Sequence, residues 1–132
     1  MKNQNIGKII IPGNVRPEVH ELEVAHILAE VGLDVEFLLP SYIKGLFSPD
    51  LLMNGQIWEM KSPCGSSKRT IENNYRNAQK QSENIIFDLR RVKLDEKVVI
   101  SQIKQRLLKQ RNNKTKRTII ITKNKKILDF KR

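Results

Sequence analysis

The sequence predicts a single α/β domain with a mixed β-sheet flanked by helices. Three observations support this fold class. The 132 residues suffice for one hydrophobic core and are too few for two domains of ordinary size. Helix-like and strand-like segments alternate in the order α-β-β-β-α-β-α-β-β, which is typical of helices packed on a sheet. An Asn-Gly pair between two short apolar runs indicates a β-hairpin near the middle of the chain.

The first half of the chain is predicted to contain an arm, one helix and three strands. Residues 1–16 form an irregular N-terminal arm with a short strand at KIIIP, and residues 17–132 form the domain. Pro17 suits the first turn of the helix PEVHELEVAHILAEV, which Gly32 closes. The strand-like runs DVEFLL, DLLMN and QIWEMK follow, and the Asn-Gly pair joins the last two.

The second half is predicted to contain two helices and three strands. A polar helix runs from about residue 70 to about residue 84 and leads into the apolar strand IIFDLRR. The helix DEKVVISQIKQRLLKQ follows. The runs RTIIIT and ILDF, joined by the turn KNKK, are predicted to form a terminal hairpin.

Several classes of protein are excluded by composition. No segment approaches the roughly 20 apolar residues of a membrane span, and the N-terminus lacks the features of a signal peptide. The single cysteine, Cys64, excludes an internal disulfide framework and a cysteine-based zinc site. The sequence has no Gly-rich nucleotide loop, so no nucleotide cofactor is expected.

The net charge of +11 resides in the C-terminal segment. Residues 1–103 contain 13 basic and 13 acidic residues, whereas residues 104–132 contain 12 basic residues and one acidic residue. A basic segment indicates a polyanionic partner, because Lys and Arg displace counterions from phosphates. We therefore expect Lys114, Lys116 and Arg117 to bind nucleic acid. A solvated basic helix and hairpin explains the charge equally well.

The first helix places one carboxylate on its apolar side. At 100° per residue, Val24, Ala25, Leu28 and Ala29 form a stripe with Glu21 at its centre. A carboxylate directed at a core needs a cation, a metal or a position at the rim near the helix start. Glu21 is therefore either part of a site or a residue of the first turn that complements the helix dipole.

The predicted central hairpin brings together two carboxylates and a lysine. Glu59 and Lys61 share one face of their strand, and pairing across the turn puts Asp50 beside them. Carboxylate oxygens hold Mg²⁺ or Mn²⁺, which activate water for phosphodiester hydrolysis, and an ammonium group steadies the developing charge. A cross-strand salt bridge is the structural alternative.

Other candidates carry less information. Lys68 and Arg69 lie at the start of the second helix, where free N–H groups favour phosphate, although helix capping by the preceding serines is an equally good explanation. His20 is a candidate general base for a metal-free ribonuclease, but it lies away from the centre of the apolar stripe.

The hairpin residues resemble a known nuclease motif. Pro49-Asp50, followed after eight residues by Glu59-Met60-Lys61, resembles the pattern of PD-(D/E)xK nucleases, the restriction-endonuclease-like fold. The resemblance implies an α-β-β-β-α-β core, here with an added helix and C-terminal hairpin. It also implies that Glu21 completes the metal site and that Gln79, on the second helix, supports it.

A closer resemblance extends over about residues 18–130. The segments HELEVAHILAEVGLDVEFLLP, SPDLLMNGQIWEMKSPCGSSKRTIENNYRNAQKQSENIIFDLRR and IIITKNKKILDF resemble the CdiA C-terminal nuclease domain of contact-dependent growth inhibition toxins. This resemblance implies an RNA target, commonly tRNA, and a cognate immunity protein. It also implies action in the cytoplasm, with delivery as part of a secreted toxin.

Taken together, these features predict a metal-dependent nuclease that hydrolyses RNA. Asp50, Glu59 and Glu21 are the expected metal ligands for Mg²⁺ or Mn²⁺, and Lys61 is expected to assist the attacking water. Three alternatives stay open: a DNA endonuclease with the same site, a metal-free ribonuclease of the barnase or colicin kind, and a non-catalytic nucleic-acid-binding module.

Overall fold

Seven strands and three helices form one α/β domain in the computed structural model, which describes residues 5–39, 50–109 and 114–131. The predicted fold class is confirmed. The strands are β1 (Ile9–Ile10), β2 (Val35–Phe37), β3 (Leu51–Met53), β4 (Gln56–Lys61), β5 (Asn84–Asp88), β6 (Arg117–Ile121) and β7 (Ile127–Lys131). The helices are α1 (Val19–Glu30), α2 (Lys68–Gln79) and α3 (Glu96–Lys109).

The strands lie in the sheet in the order in which they occur along the chain. Strand β1 pairs with β2, β4 with β5, and β5 with β6, all in parallel. Each of these pairs is joined by one helix, as parallel neighbours require a crossover connection. The other three pairs are antiparallel. The segment predicted as an arm therefore supplies an edge strand of the same sheet.

The helices cover opposite faces of the sheet. The buried side of α1 packs with Trp58 and Met60 of β4. The buried residues of α2 and α3 pack with Ile85 and Phe87 of β5. Since successive side chains of a strand point to opposite faces, the β4 residues between and after Trp58 and Met60 point toward α2. None of the helices in the described part of the chain has the length and apolar content needed to span a membrane.

Helix α1 has the orientation that its sequence predicts. Val24, Ala25, Leu28 and Ala29 are buried, and Glu23, His26 and Glu30 are exposed. The helix begins two residues after Pro17 and is followed by Gly32 with φ +93°. This left-handed conformation favours glycine and ends the helix.

The turn between β3 and β4 fixes how these strands pair. Asn54 and Gly55 have φ values of 49° and 78°, as a two-residue type I′ turn requires at both central positions. The turn aligns Leu51 with Trp58. One step further along the same register, Asp50 lies opposite Glu59.

Helix α2 ends about five residues earlier than predicted. The residues after Gln79 turn back toward the start of β4, where Ser82 Oγ and Asn84 Nδ2 both donate hydrogen bonds to the carbonyl oxygen of Ile57, at 2.8 and 3.1 Å. Polar side chains that extend a helical pattern in the sequence are used here to dock a loop.

A buried ion pair ties α1 to the sheet. The Asp88 carboxylate is 0% exposed and accepts two hydrogen bonds from the Arg90 guanidinium, at 2.8 and 2.9 Å. Arg90 also donates to the backbone carbonyl of His20 at 3.0 Å and pairs with Glu23 at 3.2 Å. The hydrogen bonds to Asp88 raise the pKa of Arg90 above the already high value of an ordinary arginine. Arg90 therefore links the end of β5 to the first turns of α1.

We expect Arg90→Ala to destabilise the fold by about 3 kcal/mol or more, because it leaves the Asp88 carboxylate buried without its ionic partner. Arg91→Ala is the matched control: Arg91 is exposed and donates one hydrogen bond to the Ser62 carbonyl. Urea denaturation of the two variants measures the difference. Similar losses of stability in both would show that the pair has no special role.

Candidate active site

Asp50, Glu59 and Lys61 lie together on the sheet face that α2 covers. Glu59 pairs with Ile85 and Lys61 with Phe87, two residues of the core beneath α2 and α3. Asp50 lies opposite Glu59 on the neighbouring strand register, immediately before β3. The structure thus brings the three hairpin residues together as the sequence predicts, and their catalytic role stays a prediction.

Backbone and ionic contacts fix these side chains. Asp50 Oδ2 accepts a hydrogen bond of 2.9 Å from the Met60 backbone N–H, which holds the carboxylate against β4. Lys61 Nζ lies 3.4 Å from Glu59 Oε2. The Lys61 side chain is 25% exposed, so its ammonium reaches solvent while it neutralises part of the charge of the pair.

Glu59 is in an unfavourable position for a charged group. The residue is only 5% exposed, and its Oε1 atom is buried without a hydrogen-bond partner among the described residues. Burial, followed by repulsion from the Asp50 carboxylate, raises the pKa of Glu59 to about 8, although Lys61 acts in the opposite direction. The fold therefore accepts an electrostatic cost at this position, which is typical of functional sites.

The pair has the donor chemistry of a site for a hard divalent cation. Asp50 and Glu59 present carboxylate oxygens, the ligands that Mg²⁺ and Mn²⁺ prefer, and Glu59 Oε1 has a free lone pair. A cation would also offset both the burial cost and the repulsion from Asp50 that raise the pKa of Glu59. One or two protein carboxylates are sufficient for Mg²⁺, which keeps several waters. The residues present fit a divalent metal.

Glu21 does not lie with Asp50 and Glu59. Its carboxylate accepts a 2.8 Å hydrogen bond from the backbone N–H of Glu18, at the start of α1. Helix α1 packs on the face opposite to Glu59, with Trp58 and Met60. Within residues 5–39, 50–109 and 114–131, no three His, Cys, Asp or Glu residues are grouped as metal ligands. In this arrangement Glu21 caps the helix, and its part in a metal shell stays a prediction.

The candidates on α2 differ in their contacts. Ser67 caps the helix, its hydroxyl accepting a hydrogen bond of 3.1 Å from the Arg69 N–H. Lys68 and Arg69 are exposed in the first turn. Gln79 is half-buried, and its amide donates to Thr115 Oγ1 at 3.4 Å. Gln79 thus connects α2 to the start of β6.

His20 does not lie with the carboxylate pair. It is half-buried in the first turn of α1, and its Nδ1 atom is 3.4 Å from Glu18 Oε2. Its backbone carbonyl accepts from Arg90. These contacts place His20 on the α1 side of the sheet, where the helix start is held.

Part of the C-terminal charge is used within the fold. Arg117 forms a two-bond ion pair with Asp129 and lies 5.4 Å from the centre of the Trp58 ring. Lys116 pairs with Glu83 at 3.1 Å, and Lys114 is exposed. The Arg117 ion pair also lowers the pKa of Asp129. Arg117 is consequently less available to phosphates than its sequence context suggests.

The Asp88–Arg90 pair is not among the residues that the sequence predicts for the site. The run IIFDLRR predicts a buried strand, and an aspartate that follows three apolar strand residues signals a buried carboxylate in need of a cation. Ser62 Oγ donates to the same Asp88 carboxylate at 3.3 Å. Asp88 therefore connects the ends of β4 and β5 near Lys61, and it positions the strand that carries the site.

Comparisons with known proteins place the site within a family. A family model described as the contact-dependent growth inhibition CdiA C-terminal domain matches residues 47–127, more than half of the chain and including the carboxylate pair. A chain of the CdiA-CT/CdiI toxin and immunity complex from Burkholderia pseudomallei has a similar structure. The TM-score is 0.71 at 22% identity, over 96% of this chain and 100% of that chain, so the likeness concerns the fold. No curated protein matches the sequence.

We expect the thermal stability of the metal-free protein to fall as the pH rises from about 5 to about 8. In this window the folded protein keeps the Glu59 proton that the unfolded chain, with the ordinary pKa of 4.5, has already lost. Folding therefore becomes less favourable until the pH passes the folded-state pKa. Calorimetry in EDTA should show the decrease in wild type and a flatter profile in Glu59→Gln.

The same variants test whether the pair binds a metal. At pH 8, Mg²⁺ or Mn²⁺ should raise the Tm of wild type, because the bound ion stabilises the folded state and replaces the Glu59 proton. The rise should be smaller at pH 6, where the proton competes. Equal metal effects on wild type and on Glu59→Gln would exclude binding at this carboxylate.

Proposed function

The chain belongs to the contact-dependent growth inhibition CdiA C-terminal domain family, and we propose that it is a toxin nuclease that hydrolyses RNA with a divalent metal. The observation that carries the proposal is the buried Glu59 beside the half-buried Asp50. Glu59 Oε1 has no hydrogen-bond partner among the described residues, and Lys61 Nζ lies 3.4 Å from Glu59 Oε2. Such a group is costly for folding and suits phosphodiester hydrolysis.

Each residue of the pair has a role that follows from its contacts. Glu59 is the buried ligand, whose free Oε1 would hold the ion. Asp50 is the second ligand, and the hydrogen bond from the Met60 N–H keeps its carboxylate in place. When bound, Mg²⁺ or Mn²⁺ polarises the phosphate and lowers the pKa of coordinated water.

Lys61 is proposed to act on the reacting phosphate. Its ammonium lies beside the Glu59 carboxylate and is partly open to solvent, so it can contact both the site and an incoming substrate. A fixed cation at this point orients the attacking water or stabilises the charge that develops on the phosphate. The pattern Asp50, Glu59 and Lys61 resembles that of PD-(D/E)xK nucleases, and we propose that assignment for the site.

The proposed substrate is RNA, and tRNA in particular. Support comes from the resemblance of residues 18–130 to the CdiA C-terminal nuclease domain and from the net charge of +11, which favours a polyanion. A tRNase acts in the cytoplasm, so we propose delivery into a target cell as part of a secreted toxin. The similar Burkholderia pseudomallei structure is a toxin and immunity complex, which supports a cognate immunity protein as partner.

DNA is the alternative substrate, because the same residues would hydrolyse either polymer. The pure protein incubated with total tRNA or plasmid DNA, with Mg²⁺, Mn²⁺ or EDTA, distinguishes the two. We expect tRNA cleavage that requires metal. Cleavage of plasmid alone would replace the RNA assignment, and full tRNA cleavage in EDTA would point to a metal-free ribonuclease.

We expect Glu59→Gln and Asp50→Asn to lower the rate of metal-dependent tRNA cleavage by on the order of 100-fold or more. Asn at position 50 keeps an oxygen for the Met60 N–H, and Gln at position 59 removes an unfavourable buried charge, so both proteins should stay folded. Glu30→Gln, an exposed carboxylate on α1, is the control and should cleave like wild type. Active Glu59→Gln protein would overturn the proposed site.

The proposed contribution of Glu21 has its own test. Glu21→Gln keeps an oxygen that accepts from the Glu18 N–H and removes only the charge. If Glu21 completes the metal shell, cleavage should fall while the Tm is unchanged. Glu23→Gln, which loses an exposed pair with Arg90, is the comparison. Wild-type cleavage by Glu21→Gln would assign Glu21 to helix capping alone.

A further inference from the structure

The two helical layers of the described structure carry opposite charge. Helix α1 contains three glutamates and neither Lys nor Arg. Helices α2 and α3 contain seven Lys and Arg residues and two glutamates. The basic layer is also the one that covers the face to which Glu59 and Lys61 point. A polyanion is therefore attracted to the side of the sheet that holds the carboxylate pair.

Within that layer, α2 presents a basic stripe formed by Arg69, Arg76 and Lys80. The spacings of seven and four residues put the three side chains on one side of the helix, and Lys80 keeps helical geometry at the C-cap with φ −73° and ψ −19°. All three are exposed, opposite the buried residues Ile71 and Tyr75.

The charge of the basic stripe is not neutralised by the described residues around it. Glu72, the acidic residue of α2, forms an ion pair with Arg106 and accepts a hydrogen bond from Gln102, both of α3. Among the described residues, Arg69, Arg76 and Lys80 have no carboxylate within ion-pair distance. This differs from Lys116 and Arg117, which are paired with Glu83 and Asp129.

We propose that the basic stripe of α2 binds the phosphate backbone of the substrate nucleic acid and draws it to the side of the sheet that holds the carboxylate pair. This proposal deepens the nuclease function and rests on it. It assigns the main electrostatic attraction to α2, where the sequence predicts Lys68 and Arg69 as candidates, and away from the predicted C-terminal residues Lys116 and Arg117. Arginine and lysine on a helix bind the nucleic-acid backbone independently of sequence, which sets position and affinity.

The dimensions of α2 suit this role. The helix follows β4 after a short loop, and the residues after the helix return to the start of β4, where Ser82 Oγ donates a hydrogen bond to the Ile57 carbonyl. Arg69 and Lys80 are separated by roughly 16 Å along the helix axis, about five phosphates of a duplex strand. The carboxylate pair lies on the sheet face that this helix covers.

A groove extends the basic stripe toward β6. Arg76, Lys80 and the exposed Lys114 line a cavity of about 430 Å³, together with Gln79 and the residues that follow α2. Lys114 thus belongs to the same surface as the α2 residues, although it comes from the C-terminal segment. Of the three C-terminal residues that the sequence predicts to bind phosphate, Lys114 therefore belongs to the surface centred on α2, whereas Lys116 and Arg117 are paired within the fold.

The test compares binding of purified tRNA to charge variants made in the Glu59→Gln protein, so that cleavage does not interfere. The triple variant Arg69→Gln, Arg76→Gln, Lys80→Gln removes the basic stripe. Lys8→Gln, Lys125→Gln, Lys126→Gln removes the same charge from exposed positions outside α2 and α3. Equal Tm values would establish that both variants are folded.

We expect the stripe variant to raise the Kd for tRNA and to flatten its dependence on salt, by roughly 0.7 to 0.9 in log–log slope for each phosphate that is no longer neutralised. The control should change the slope by less than the amount for a single phosphate. If both variants have the same salt slope while the wild-type enzyme cleaves tRNA, the α2 surface is wrong and the nuclease function stands. If wild type neither cleaves nor binds tRNA, the RNA nuclease proposal itself fails.

Discussion

The register of the β3–β4 hairpin is the constraint on which the candidate site depends. Asn54 and Gly55 adopt the positive φ values of a two-residue turn, and this turn places Asp50 opposite Glu59. Because side chains alternate along a strand, a slip of one residue would move Glu59 to the α1 face and Trp58 to the α2 face. Burial of Trp58 against α1 therefore also secures the direction of the carboxylate.

The burial of Glu59 lowers the stability of the folded protein and at the same time suits the proposed binding of a metal ion. A carboxylate that is 5% exposed, beside a second carboxylate, disfavours folding unless it keeps a proton or gains a cation. Lys61 supplies part of that charge from the solvent side. Apolar residues of the hairpin, among them Leu51, Trp58 and Met60, are buried in the core on the α1 side and offset the cost. Groups held in this way are preorganised for a ligand, since they need little rearrangement when it binds.

The charged residues of the chain divide between holding the fold and meeting a partner. Asp88 and Arg90 join β5 to α1, Glu72 and Arg106 join α2 to α3, and Arg117 and Asp129 join β6 to β7. The three arginines of these pairs contribute to the net charge but are already paired with carboxylates of the same chain. On the side of the sheet that holds the carboxylate pair, α2 presents exposed basic residues that take part in none of these ion pairs.

The sequence by itself determined the fold class, the apolar stripe of α1, the hairpin turn and the meeting of Asp50, Glu59 and Lys61, because all of these follow from local periodicity and turn chemistry. Interactions between distant segments decided the rest. The end of α2 depends on hydrogen bonds from Ser82 and Asn84 to Ile57, residues far away in sequence. Likewise, Glu21 lies on the side of the sheet opposite to Glu59 because α1 packs there. Arg117 pairs with Asp129 because β6 and β7 are neighbours in the sheet. Periodicity in the sequence predicts on which side of its own helix or strand a side chain lies. Only the packing of the elements decides which other residues are on that side.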